Sequence, residues 1–100
     1  MFVEVTEGQC AVREAADLKS LSVQAADRSH LSALGELGEL SDDGDHVWLS
    51  IDALKAAGAA TVPDDERAAW ADSYDGMIAY ATSKGWASAD GTAVRAHITP

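Results

Sequence analysis

A single cysteine, Cys10, in 100 residues rules out an intrachain disulfide framework and a cysteine-ligated zinc cluster. Cations are scarce as well. There are 7 lysines and arginines against 17 aspartates and glutamates, for a formal net charge of -10. A nucleic-acid-binding module needs a basic face to neutralise phosphate, and docking on anionic lipid needs the same, so neither partner is expected. No apolar run approaches membrane-spanning length, and no basic start leads into an apolar stretch. The expectation is a soluble cytoplasmic protein without a signal peptide. Phosphate loops are missing too: Gly35, Gly38 and Gly44 fit neither the dinucleotide nor the Walker spacing. No G-x-S-x-G nucleophile elbow occurs, and no internal repeat or low-complexity tract is visible.

What is present is ordinary for a folded chain. Hydrophobic residues make up 47% and charged residues 24%, enough for one modest core, so residues 1–100 are read as a single globular domain. Roughly a fifth of the residues are alanine, which favours helix. This alanine- and aspartate-rich, lysine-poor composition is typical of high-GC bacterial genomes. Charge is unevenly spread. Between Arg28 and Lys55 there is no cation, but there are Glu36, Glu39, Asp42, Asp43, Asp45 and Asp52. Beyond Gly76 the balance turns slightly basic, with Lys84 and Arg95 against Asp90.

The clearest period lies in residues 64–86. Trp70, Tyr74, Met77, Ile78 and Ala81 recur at helical spacing and predict one apolar stripe on a helix over 64–85. Pro63 suits the start, and Asp64, Asp65 and Glu66 complement the positive end of the dipole. Gly85 suits a left-handed cap, after which Trp86 is expected to fold back onto Tyr80 or Ala81.

Strand patterns are shorter. Val3 and Val5 alternate with Phe2, Glu4 and Thr6; Val47, Leu49 and Ile51 with Trp48 and Ser50; Val94, Ala96 and Ile98 with Arg95, His97 and Thr99. Residues 9–26 are read as helical, with Val12, Ala15, Ala16, Leu18, Leu21 and Val23 as the apolar side. A second short helix follows with Leu31, Leu34 and Leu37, capped by Asp27 or Ser29. Asp52 is expected to cap a short helix over 53–57. The predicted fold is α/β (α+β): a small two-layer sandwich of about three short strands with the amphipathic helix 64–85 packed on the sheet. An alternative pairs Glu39–Leu40 with Val47–Trp48 across the turn at 41–45, giving a fourth strand.

Candidate chemistry is sparse. Ser41–Asp52 places acids at the third, fifth and twelfth positions of a calcium loop. However, the sixth position is His46 rather than the turn glycine, so an acidic turn is expected instead. His46 beside Asp45, with His97 brought near by strand pairing, is a candidate transition-metal site; two surface histidines are the plainer reading, and no metal or cofactor is expected. Cys10 is read as a structural thiol, because no local signature pairs it with a histidine. Trp48 alternates away from the helix-covered face and shares the other with Phe2, Arg95 and His97. That face is either packed under the first helices or offered to a partner. Trp48, Arg95 and His97 are therefore the candidate binding residues, since tryptophan and arginine dominate interfaces.

No catalytic residue is assigned. The expected function is a small acidic accessory or interaction domain without catalysis of its own, contacting a protein partner or a second copy in a weak homodimer. The alternative is a small-molecule-binding domain or small enzyme with its pocket near Trp48, Arg95 and His97. There, Arg95 would hold an anion and His97 would act as acid or base.

Overall fold

Phe2–Thr6 (β1) runs out with Val3 and Val5 buried, and Glu7 and Gly8 turn the chain back. Gly8 sits at φ +76, a left-handed value that suits glycine. The return limb, Gln9–Arg13 (β2), pairs antiparallel with β1. The computed structural model describes every residue from Met1 to Pro100. It corrects the reading of residues 9–26, which form no helix. They make β2, an irregular loop, and a third strand, Ser22–Ala25 (β3), parallel to β1. The period of two over Cys10 and Val12 prevails over helix propensity because the tight turn delivers β2 straight onto the edge of β1.

Asp27 then caps a 3-10 segment, Arg28–Leu37, by accepting from the Ser29 amide at 2.9 Å; the segment is broken by a kink at Gly35, at φ +54. Leu31 and Leu34 are buried, and their three-residue spacing places them on one side of a three-per-turn helix. Next come Gly38–Leu40 (β4), the turn at 41–45, and His46–Ser50 (β5). In this hairpin Glu39 faces Trp48 and Leu40 faces Val47. Helix α1, Ile51–Ala59, is capped by the Ser50 hydroxyl accepting from the Ala53 amide; Asp52 lies in its first turn and is not the cap. A short turn at Asp64–Glu66 leads into α2, Arg67–Ser83, and Ala93–Thr99 (β6) ends the order.

The sheet is a single six-stranded mixed one, in the order β2-β1-β3-β6-β5-β4, and it curls into a half-barrel. The expected two-layer sandwich of about three short strands is therefore incorrect. Two strands lay inside the stretch read as helix, and a third was the short partner of β5.

All helices lie on one face of the sheet. Val3, Val5, Val12, Val23, Val47, Leu49, Val94 and Ala96 point to that face and are buried. Each of the larger ones contributes roughly 1.5–3 kcal/mol before entropy is subtracted. Trp70 and Tyr74 of α2 complete the core, with ring centres 5.2 Å apart. The Trp70 indole N–H donates to the Ala15 carbonyl at 2.7 Å, and the Tyr74 hydroxyl donates to the Ile51 carbonyl at 2.8 Å. Gly58 of α1 gives the indole room, since a β-carbon there would lie 2.8 Å from the Trp70 ring. The alternate residues Phe2, Glu4, Gln24, Trp48, Arg95 and His97 are half-buried or exposed, so no helix covers that second face.

Candidate functional site

Strand β6 changes its neighbour halfway along. At its start the Arg95 amide donates to the Trp86 carbonyl at 2.8 Å, and Ala87 bridges to Val94. From His97 onward the partner on the same edge is β3, with Ser22 beside His97. The sheet is forked at this point, and a cavity of about 610 Å3 opens in the fork. One wall is the loop Leu18–Leu21. Another is the end of α2, with Met77, Ile78, Tyr80 and Ala81, and Trp86 beyond it. The third is β6 with Val94, Arg95 and His97, joined by His46 of β5.

Each wall is held in place. The Met1 nitrogen donates to the carbonyls of Asp17 and Ser20, tying the loop to β1. Helix α2 ends in a Schellman cap: the Trp86 amide donates to Ala81 and the Gly85 amide to Thr82, at 3.0 Å each, with Gly85 at φ +79. The cap swings the Trp86 ring edge-on to Tyr80, with centres 6.1 Å apart. Trp86 and Tyr80 remain 41% and 57% exposed, so the cavity has an open aromatic lip. Met77 and Ile78, expected in the core stripe, are only half-buried and face this space.

His46 and His97 face each other directly across β5 and β6. The Ile98 amide bonds the Asp45 carbonyl just outside this pair, which makes it a narrow, non-hydrogen-bonded one with the closest side-chain approach. The two ring centres are 4.4 Å apart. His46 Nδ1 lies 2.8 Å from Asp43 Oδ2. That carboxyl is held down at about 2, first by the Asp45 amide and then by the His46 ring.

The charge pattern is the main electrostatic feature. Arg13, Arg28, Lys55 and Arg67 each pair with a carboxylate. The remaining cations, Lys19, Lys84 and Arg95, have no such partner. Lys19 and Arg95 line the cavity, and the Lys84 ammonium lies 5.4 Å from the centre of the Tyr80 ring on its lip. No carboxylate lines the cavity. A chain of net charge -10 thus keeps one concave, partly apolar surface positive.

Of the three residues singled out from sequence, Arg95 and His97 meet in the cavity wall. Trp48 is opposite Arg95 across the next narrow pair and shares its face, but it lies outside the lining. Leu18 and Leu21 were read on the apolar side of a helix, Lys19 on its outside and Trp86 in a cap, so none was expected here. Cys10 lies three strand spacings from β6, roughly 14 Å, and on the helix-covered side, so it is no partner for His97. Ser41–Asp52 is a turn, a strand and the first turn of a helix, and no three His, Cys, Asp or Glu side chains converge anywhere to hold an ion. No helix is long and apolar enough to cross a membrane. Compared with protein-family models, curated proteins and solved structures, the chain matches none.

Proposed function

We propose that this protein is a small-molecule-binding domain, without catalysis of its own, that takes an organic anion with an apolar body into the cavity at the fork of β6. The observation that carries this is the placing of Lys19 and Arg95, two of the three side-chain cations without a carboxylate partner, in the wall of a cavity that no carboxylate lines, with the third, Lys84, beside the Tyr80 ring. Arg95 supplies a planar fork suited to a carboxylate or sulfonate. His97 adds a donor beside it. Leu18, Leu21, Met77, Ile78 and Trp86 supply apolar contact for the rest of the ligand, the usual division of labour in such pockets. The lone half-buried thiol and the composition fit a cytoplasmic setting.

The test is titration with a fluorescent aryl sulfonate, an anion with an apolar body. Its emission should rise on saturable one-to-one binding. Arg95→Gln should weaken that binding roughly ten- to a hundredfold, the worth of a hydrogen bond to a charged group. Equal binding by the folded Arg95→Gln protein would contradict the assignment.

A second reading rests on Trp48. It is half-buried on the sheet face that no helix covers, with Glu39 and Arg95 as its cross-strand neighbours. Under this reading the face docks a protein partner or a second copy. Sedimentation separates the two readings: a concentration-dependent dimer lost in Trp48→Ala supports the second, and a strict monomer that binds the sulfonate supports the first.

A further inference from the structure

The histidine pair on the cavity wall has a chemistry that anion binding does not use. We propose that His46 and His97 form a two-histidine site for a divalent late transition metal, of the nickel or zinc class, with Asp43 holding the His46 ring in place. This does not rest on the anion reading; the metal alone is the ligand.

Four observations lead to it. First, the register puts the two histidines opposite each other in a narrow pair, where Cα atoms are about 4.5 Å apart and side chains approach most closely. Second, their ring centres are 4.4 Å apart, with planes tilted by 43° rather than stacked. Metal–nitrogen bonds near 2.0–2.1 Å place two imidazole centres on one ion roughly 4.5 Å apart at right angles and roughly 5 Å apart at the tetrahedral angle of zinc. The separation of the ring centres is thus close to that of two imidazoles on one ion.

Third, one nitrogen of His46 is already committed. Asp43 Oδ2 lies 2.8 Å from Nδ1, while its Oδ1 accepts from the amides of Asp45 and His46 at 2.9 and 3.2 Å. An ionised carboxylate on Nδ1 requires the proton there, which in the neutral ring leaves Nε2 with its lone pair free for a metal. This is the carboxylate–histidine arrangement that orients metal ligands and raises their basicity. Fourth, the site is reachable. His97 is exposed and the His46 side chain is 17% exposed, both on the wall of an open cavity.

The ligand set also defines what is excluded. Two imidazoles suit nickel, copper and zinc, whereas calcium and magnesium require oxygen. Two protein nitrogens leave the remaining positions to water. Arg95, two residues from His97 on the same face, and Lys19 across the cavity oppose a second positive charge. Asp43 and Asp45 in the adjoining turn offset them, Asp45 already sharing its charge with Arg28 at 3.7 Å. Binding is accordingly weaker than in a full four-ligand site and depends on both rings.

The experiment is calorimetric titration of the intact chain with nickel or zinc chloride, alongside NMR of the histidine side-chain nitrogens. A one-to-one isotherm is expected, with the nitrogen signals of His46 and His97 moving and those of His30 unmoved. His46→Ala and His97→Ala should each weaken binding at least tenfold. Asp43→Asn should weaken it ten- to a hundredfold, as loss of an outer carboxylate does. His30→Ala should leave it unchanged. The absence of a saturable isotherm in the folded protein would overturn the site. So would undiminished binding in His97→Ala, or a response confined to His30. Because no variant is needed to read the nitrogen signals, the outcome stands even if a substitution disturbs folding.

Discussion

Trp70 of α2 donates its indole N–H to the carbonyl of Ala15, 2.7 Å away, in the loop that follows β2. This bond joins the long helix to the segment that the sequence most strongly disguised. The same loop continues through Leu18–Leu21 into the cavity wall, so the helix core and the candidate site share a support.

The packing of that indole is testable from both sides. Trp70→Ala should cost about 3–5 kcal/mol, as for a large core aromatic. Gly58→Ala should cost about 1–2 kcal/mol. The new methyl meets the Trp70 ring at 2.8 Å, and the gain in helix propensity offsets only part of that clash. Urea midpoints check both, and an unchanged midpoint in either would mean that the indole is not seated against α1.

Gly76 should behave in the opposite way. It lies inside α2, it is exposed, and a β-carbon there meets nothing within 4 Å. Gly76→Ala should stabilise the protein by about 0.5–1 kcal/mol, seen as a higher thermal midpoint. A fall would reveal a close neighbour at this flank, such as a second chain.

Stability should decline at both extremes of pH, for different reasons. Asp43 and Asp90 are held at about 2, against an ordinary 3.8. Asp43 is held first by the Asp45 amide, Asp90 first by the Ser88 hydroxyl. A depressed carboxyl stabilises the fold above its unfolded value and loses that contribution as pH falls through its folded one. The loss should therefore run from about pH 4 to 2. Asp90→Asn should flatten that limb. Tyr74 is raised above its ordinary 10, first by burial and then by Asp52 and Asp75. The unfolded chain gives up that proton first, so stability should fall above pH 10, and Tyr74→Phe should reduce that fall. Denaturant midpoints across pH read both limbs. An unchanged acid limb in Asp90→Asn would contradict the first assignment, and an unchanged alkaline limb in Tyr74→Phe the second.

What could be read from sequence followed the length of each periodic run. Seventeen residues of α2 carried Trp70, Tyr74 and Ala81 at helical spacing, and Gly85 marked its end. The five residues of β2 could not compete, because Cys10, Val12, Ala15, Leu18 and Leu21 also satisfy a loose helical period. What decides between them is a non-local event, the pairing of Gln9–Arg13 with β1. The three-residue β4 was visible only through the turn after it. Arg95, His97 and Trp48 were readable as one face of the sheet, because alternation along each strand is local. The cavity was not, since it needs β6 to change partners between Trp86 and Ser22. Lys19 lay inside the stretch read as helix, so its place in the cavity wall was hidden too.

The most direct test is NMR titration of the amide signals with two ligands of matched chain and opposite charge, octanoate and octylammonium. On general electrostatics a chain of net charge -10 favours the cation. The pocket described above predicts the reverse at one place. Octanoate should shift the amides of Leu21, Trp86, Arg95 and His97 in a saturable way. Octylammonium should not, and Arg95→Gln should abolish the preference. Stronger shifts at those amides with octylammonium, or octanoate shifts scattered away from the fork of β6, would contradict an anion-binding site there.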